Sequence, residues 1–449
     1  VKISKIDSKA IAESSNIRIS FNYARESSAL FLTRYNEKCF IRLKDICFIQ
    51  KGTSITEDLT EEGEVPVVAG GKTLAYYHSD SNREKDVITI SASGANAGYI
   101  NYWKIPIWAS DCTTVRSKND KKNLTKFIYH LLKVVQTDFF MLQKGASQPH
   151  VYPDDLQNIM IPEIPIEEQQ AVLDAIFEKE TEIAECKTNN CSVQSIIDLV
   201  FQREFNFDYK TFEALKKQRC YSSKQKYFSA NPDLRFSVKF HRPAGKFVID
   251  QLTSVPNKKI KYFLAEPIVL GASVTPKNYD EDGKYLYISM ATIKNLEFDC
   301  NSASAVSDSY SESNLVKSVK KGDIILARSG EGSIGKVAMI SKSEIKGIFA
   351  DFTMRIRLDQ YNPLFAYYYF RTVYFQYLVE IYKKGLGNNT NIFPTIIQEF
   401  PILDISLDEQ ERIVDEIQSE ILKQDKIKNH IDQLQEKIDA IIIDAITTK

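Results

Sequence analysis

The most regular pattern of apolar and polar positions lies at the end of the chain. Between Asp408 and Ala445 there is no proline or glycine. Apolar residues recur at steps of four and three: Ile413, Ile417, Ile427, Ile431, Leu434, Ile438, Ile441 and Ala445. Glu420 and Gln424 hold the polar places in this seam, and charges such as Glu411, Arg412, Lys423, Lys426 and Lys437 flank it. The spacing predicts one long helix of the coiled-coil kind. At about 1.5 Å per residue it would extend roughly 55–60 Å. A rod of that length lies against a partner rod or stands in solvent. A second copy of the seam offers that partner: Val172, Ile176, Lys179, Ile183, Cys186, Asn190, Val193, Ile197 and Val200. It follows Pro165 and an acidic first turn at Glu167, which suits the helix dipole. Lys179 and Asn190, with Glu420 and Gln424, are the expected register marks of an antiparallel pair.

Elsewhere, short apolar runs alternate with turn residues. Val65 to Val68, Val87 to Ile90, Tyr99 to Tyr102 and Thr113 to Arg116 read as strands. Gly70-Gly71-Lys72 and the small-residue stretch from Ser91 to Gly98 separate them. A helix is expected from Leu124 to Leu142, then a loop from Gly145 to Pro153. After a charged linker the order replays. Arg235-Phe-Ser-Val-Lys-Phe240 echoes Arg18-Ile-Ser-Phe-Asn-Tyr23, and Ile260-Lys-Tyr-Phe263 echoes Leu43-Lys-Asp-Ile46. Gly271-Ala-Ser-Val-Thr275 echoes Gly52-Thr-Ser-Ile-Thr56. Asp323 to Ser329 with Gly335 echoes Asp86 to Ser91 with Gly98, and Pro363 to Ile381 echoes the helix at Leu124. This is an internal duplication.

The expected fold is therefore α+β: two globular α/β units separated by two long helices that form an antiparallel coiled coil, with a pseudo-two-fold internal repeat. The boundaries are residues 1–165 for the first unit and 166–205 for the central helix. A linker at 206–230, a second unit at 231–405 and the C-terminal helix at 406–449 complete the chain.

Composition narrows the function. The chain has 449 residues, too many for one core. Its formal net charge is −1, so any nucleic-acid surface is a local patch rather than a general basic field. Seven cysteines without a Cys-x-x-Cys argue against a disulfide framework or zinc site and suit a reducing cytoplasm, the expected location. No apolar run is long enough for a bilayer, so no membrane partner is expected.

Three constellations hint at catalysis. Gly330-Glu-Gly-Ser-Ile-Gly335-Lys336 fits the start of a phosphate-binding loop, but Val337 stands where Ser or Thr would hold magnesium, and the run after it is β-like. Asn231-Pro232-Asp233 lacks the second proline and the aromatic of an amino-methyltransferase loop. Glu344-Ile-Lys346 with Asp323 is half of a nuclease pattern. None makes a complete site, and no cofactor is expected.

What remains is binding. Loops of both units carry side chains suited to base edges: Lys72, Ser91, Ser93, Asn96, Gln148 and His150 in the first, and Arg328, Ser329, Ser333, Lys336, Asn388, Asn389, Thr390 and Asn391 in the second. Arg116, Lys118, Lys121, Lys122, Lys383 and Lys384 are candidates for phosphates.

The entries to the two helices, Ile161-Pro-Glu-Ile-Pro-Ile-Glu-Glu-Gln-Gln170 and Phe400-Pro-Ile-Leu-Asp-Ile-Ser-Leu-Asp-Glu-Gln-Glu-Arg412, resemble those of the specificity subunit of type I restriction–modification systems. Gly145-Ala-Ser-Gln148 is similar to that family's Gly-Ser-x-Gln loop, and Gly322 to Gly330 with Gly335-Lys336 to its strand turn. Gly385-Leu-Gly-Asn-Asn-Thr390 departs by lacking the glutamine. The resemblance implies two target-recognition domains, each binding half of a split double-stranded DNA sequence. It implies that the helices hold the readers a fixed distance apart and dock two modification (methyltransferase) subunits. Those subunits bring S-adenosylmethionine, and restriction/translocase subunits join them. The chain itself would be non-catalytic. Two alternatives stay open: a specificity module of a modification-only or other phage-defence system, and a P-loop-like nucleotide hydrolase built on Gly330 to Lys336.

Overall fold

The computed structural model describes residues 40–145, 148–222, 224, 238–294, 297–330, 332–385 and 389–447. The chain forms two compact units. One is residues 1–189 with 427–449, the other residues 190–426.

In unit 1 the strands are β1 (Phe40–Arg42), β2 (Cys47–Lys51), β3 (Val65–Val68), β4 (Tyr76–His78), β5 (Val87–Ser91), β6 (Ile100–Trp103), β7 (Trp108–Ala109), β8 (Cys112–Ser117) and β9 (Met160–Pro162). They make an antiparallel sheet in the order β2-β8-β5-β6, a smaller sheet β4-β3-β7 whose β3–β7 pair is parallel, and a β1-β9 ribbon. β5 is buried at every position, which is why Val-Ile-Thr-Ile-Ser reads as an unbroken run rather than an alternating one. The helices Thr125–Val134 and Gln136–Met141 pack Phe127, Ile128, Leu131 and Phe139 against Ile88, Ile90 and Val115. One helix was expected here. The structure kinks it at Val135, so the second piece turns its buried Phe139 onto the same core.

Unit 2 contains β10 (Asn257–Lys259), β11 (Val269–Leu270), β12 (Tyr285–Ile288), β13 (Ile293–Lys294), β14 (Glu297–Phe298), β15 (Ser304–Val306), β16 (Ile324–Ala327), β17 (Val337–Met339), β18 (Gly347–Phe349), β19 (Thr353–Ile356) and β20 (Pro401–Leu403). Its sheets repeat those of unit 1: antiparallel β11-β19-β16-β17, β15-β12-β18 with a parallel β12–β18 pair, and a β10-β20 ribbon. A β13–β14 hairpin is added. The duplication seen in the residues is thus a duplication of strand order and pairing sense. The helix expected from Pro363 divides at Thr372, whose side chain caps the second segment, Val373–Tyr382.

The expected linker at 206–230 contains the helix Tyr209–Lys217. Asp208 caps it, and its Phe212 is buried in the core of unit 2. Its charges, Lys210, Glu213, Lys216 and Lys217, belong to the outer part of an amphipathic helix. The segments Arg18 to Tyr23, Arg235 to Ser237 and Asn231 to Asp233 lie outside the described residues.

The central helix differs most from expectation. Instead of one rod there are two helices, Ile166–Thr188 in unit 1 and Val193–Phe205 in unit 2. Asn189 caps the end of the first, and the Ser192 hydroxyl accepts from Ser195 N at 3.0 Å to start the second. Asn190, expected in the seam, sits exposed in the break. Gln424 proves to be a partner of that break rather than a seam residue: its Oε1 accepts the Cys191 N–H at 2.9 Å. Within unit 2, Val193–Phe205 runs antiparallel to the first half of the C-terminal helix Leu407–Thr447. Cys191 meets Gln424, Arg203 meets Glu416 at 2.5 Å, and Glu204 meets Arg412. Within unit 1, Ile166–Thr188 and the helix's second half share one core, with Leu173, Ile176, Ile183, Leu434 and Ile438 buried together. Past Ile438 the buried positions become Ile442 and Ile446 rather than Ile441 and Ala445. Steps of four replace the 3.5-residue seam because this end packs into a globular core as well as on a helix.

Candidate nucleic-acid interface

In unit 1 the six predicted residues come together where β5 ends. Ser91 closes β5, and its hydroxyl donates to the Gly71 carbonyl at 3.2 Å, tying the Gly70-Gly71-Lys72 turn to the sheet. Lys72 is exposed, with its ammonium 5.4 Å from the Tyr99 ring centre. Asn96 closes the next turn through a 2.9 Å bond from Tyr99 N to its carbonyl. The loop from Gly145 returns onto the same place. His150 exchanges 2.8 Å backbone bonds with Lys144 and bridges Ser93; Gly94 N donates to the Pro149 carbonyl and Val151 N to the Ala92 carbonyl. Gln148 is exposed at the tip. The Ser93 hydroxyl is bonded to the Asp111 carboxylate, so it is held rather than free to rotate.

Unit 2 builds the same scaffold from different side chains. Asn391 exchanges backbone bonds with Lys384 at 2.8 and 2.7 Å and bridges Ser329. Gly330 N donates to the Thr390 carbonyl, and Ile392 N to the Arg328 carbonyl. Ser333 closes the turn through Lys336 N at 3.0 Å, as Asn96 does. Lys336 is exposed, and Arg328 Nε donates to the Asp351 carbonyl at 3.1 Å. These bonds define equivalences: Ser93 with Ser329, Asn96 with Ser333, Tyr99 with Lys336, His150 with Asn391 and Gln148 with Asn389. The last was hidden because the second loop is one residue longer. Gly145 (φ 101°) and Gly385 (φ 104°) both take the left-handed conformation, and a Cβ on either would strike the carbonyl of Gln148 or of Asn389. The second loop therefore places an amide, Asn389, where the first places Gln148. Thr390 is buried, so only its backbone is positioned to serve the loop. Asn388 lies outside the described residues.

Beneath the unit 1 turn, Lys133 reaches the Ile100 carbonyl and Gln136 Oε1, both at 3.0 Å, and lies 4.2 Å from the Tyr99 ring centre. Burial pulls its pKa down to about 8. Gln136 Nε2 also donates to the Gly98 carbonyl at 2.8 Å, and Gln376 Nε2 does the same to Gly335. Sequence reasoning missed this paired support, and it missed two exposed aromatics, Tyr152 and Phe393, beside the loops. The signal available was an aromatic–proline step in each half, Tyr152-Pro153 and Phe393-Pro394.

The expected phosphate contacts fare differently. Arg116 and Lys118 lie at the other end of β8, away from Cys112 and the loops. Arg116 is paired with Glu84 at 2.5 Å, and Lys118 donates to the Lys44 carbonyl at 2.6 Å. Lys383 is buried against Glu380 at 2.6 Å. Gly330 to Lys336 joins β16 to β17 in an antiparallel hairpin, Leu326 facing Val337. Lys336 leads into a strand, not a helix N-terminus, which removes the nucleotide-hydrolase reading. Asp323 is fully buried and held by two 2.7 Å bonds from Arg357, so it cannot complete a nuclease site with the exposed Glu344 and Lys346. Among the described residues no group of His, Cys, Asp and Glu is placed to hold a metal, and no helix is long and apolar enough to cross a membrane.

Comparison with solved structures finds similar chains at low identity. The type I restriction–modification S subunit from M. genitalium is 16% identical, with 91% of this chain and 96% of that one covered and a TM-score of 0.43. A chain from work on complex assembly and conformational transition of the type I R-M system is 15% identical, with 91% and 97% covered and a TM-score of 0.47. The HsdS subunit from Thermoanaerobacter tengcongensis is 14% identical, with 91% and 96% covered and a TM-score of 0.30. No curated protein matches the chain. The family described as type I restriction modification DNA specificity domain matches twice, over residues 36–190 and 268–436. Each match spans one copy of the repeated sheet-and-loop pattern, and together they cover more than half of the sequence: the chain belongs to the type I restriction modification DNA specificity domain family.

Proposed function

We propose that this chain is the DNA-recognition subunit of a type I restriction–modification complex and is not itself catalytic. It reads a bipartite double-stranded target, one half with each unit. The exposed or half-exposed side chains of Lys72, Ser93, Asn96, Gln148 and His150 meet one half-site. Those of Arg328, Ser333, Lys336, Asn389 and Asn391 meet the other. Amides suit adenine edges and cations suit guanine edges or phosphates. The helices Ile166–Thr188, Val193–Phe205 and Leu407–Thr447 serve as spacer and as docking surface for methyltransferase subunits, two in number, and restriction/translocase subunits join the assembly. The methyl donor belongs to those partners, and the complex works on DNA in the cytoplasm.

One observation supports this reading above the others. The same backbone clamp occurs in both units, yet it carries Gln148 and His150 in one and Asn389 and Asn391 in the other. A repeated scaffold with exchanged polar tips is what reading two different half-sites requires. Methylation mapping of genomic DNA from strains with and without the chain tests it. A split, asymmetric motif methylated only when the chain is present is expected. Identical maps, or a continuous palindromic motif, would overturn it.

A further inference from the structure

The two interfaces share a feature that neither folding nor base reading uses. Tyr152 and Phe393 follow His150 and Asn391 by two residues, and each stands just before the proline that opens a short helix, Pro153–Gln157 or Pro394–Ile397. Their side chains are 49% and 40% exposed. The preceding residues, Val151 and Ile392, are buried and already pin the loop to the core. A large ring at the next position therefore adds little to packing. Leaving apolar surface in water is unfavourable, in proportion to its area. Two such rings at equivalent places in a duplicated fold need a reason.

Their surroundings supply one. Each ring has a cation close by: Lys144 Nζ lies 5.7 Å from the Tyr152 ring centre, and Arg328 Cζ lies 6.0 Å from that of Phe393. His150 stacks on Tyr152 at 5.9 Å and 21°. The side chains that would read base edges differ between the units, yet an aromatic ring is present in both. A ring face binds any base by stacking, without regard to sequence. We propose that Tyr152 and Phe393 are stacking platforms for DNA, each laying its ring against a base displaced from the stack beside the half-site its unit reads. Chemistry on a base takes it out of the duplex, so a displaced base is at hand wherever a target is methylated. The neighbouring Lys144 and Arg328 then lie where the adjoining phosphates pass. This rests on the proposed function and adds residues and a mode of contact to it.

The test uses the full chain assembled with its methyltransferase subunits and a duplex carrying the mapped target. Tyr152→Ala and Phe393→Ala are each expected to weaken binding roughly tenfold, the scale of one lost base–aromatic stack. Tyr152→Phe and Phe393→Tyr keep the ring and are expected to bind like the parent. Scrambling one half-site should abolish the Tyr152→Ala penalty, and scrambling the other should abolish that of Phe393→Ala. Unchanged binding by both alanine variants overturns the proposal. So does a loss traced by sedimentation to weaker assembly with the methyltransferase in the absence of DNA. Gln148→Ala and Asn389→Ala separate the two levels of argument. If they weaken binding while the ring variants do not, only the stacking fails. If they too leave binding unchanged, the loops are not the DNA interface.

Discussion

Gln169 offers the sharpest test of how these units are held together. It lies in the Glu-Glu-Gln-Gln run that carries the family resemblance, and it is 2% exposed. Its Oε1 accepts the Leu124 N–H at 2.8 Å, and its Nε2 donates to the carbonyls of Ile164 at 2.7 Å and Lys122 at 3.0 Å. One side chain thus joins the start of Ile166–Thr188 to the start of Thr125–Val134. Gln169→Met keeps length and volume but removes all three bonds. At about 1 kcal/mol net for each, with the Lys122 carbonyl able to turn to water, the expected loss is about 2–3 kcal/mol. With a urea slope of about 1–3 kcal/mol/M the midpoint falls by about 1–2 M. Trp103 and Trp108 are the chain's two tryptophans and both lie in unit 1, so tryptophan fluorescence during urea titration follows this unit alone. Gln170→Met is the control. Gln170 is exposed and bonded only to Asp174 at 2.8 Å, and its loss is expected to stay within about 0.5 kcal/mol. If Gln169→Met also stays within that range at unchanged slope, the bonds do not hold the unit together as argued.

Glu180 governs the acid behaviour of unit 1. Burial alone would raise its pKa, but hydrogen bonds and charge from His130 and Lys126 outweigh that and hold it at about 2. A carboxylate lowered in the folded state contributes stability that is present above pH 4.5 and lost as pH falls from there toward 2; Glu180→Gln should flatten the fall of unit 1 stability across that window in urea titrations followed by fluorescence. Thiol labelling of the native chain should modify the exposed Cys191, Cys220 and Cys300 quickly and spare Cys47 and Cys112, whose pKa values burial pushes up to about 12; labelling of the buried pair at the same rate would contradict their burial. With a net charge of −1, the isolated chain should bind random duplex DNA weakly and with a shallow salt slope in filter titrations. Tight binding with a steep slope would mean that its basic residues act as one field.

The strands and their duplication were legible because β-branched runs between glycine turns have few other solutions. The long helices were legible from their seams. The break at Asn189–Ser192 was not, since Asn190 falls four residues after Cys186 and so continues the seam in spacing while ending it in backbone. Ser192 and Asn189 are good caps, but the same residues are tolerated on a solvated helix face, and only the neighbouring Gln424 decides between the two. The match of Asn389 to Gln148 was hidden by one inserted residue, which shifts the count from the glycine and is corrected only by the backbone pair at Lys384 and Asn391. Arg116 and Lys118 looked like phosphate ligands because charge is visible in a sequence and its partner is not.

The clamp itself explains why the reading residues resist prediction. Each loop is closed by main-chain bonds between Lys144 and His150 or between Lys384 and Asn391, and by main-chain bonds to the neighbouring turn. Left-handed glycines at 145 and 385 bend both loops, and Gln136 and Gln376 brace the turns beneath. None of these forces passes through the side chains of Gln148, His150, Asn389 or Asn391. Exposed positions of this kind change at little cost to stability, so the physics that selects the fold leaves them open. A scaffold fixed by backbone and glycine, with its polar tips free to vary, can acquire a new target without refolding. That freedom is also why the identity of the target bases lies in the DNA-bound geometry rather than in the pattern of the chain.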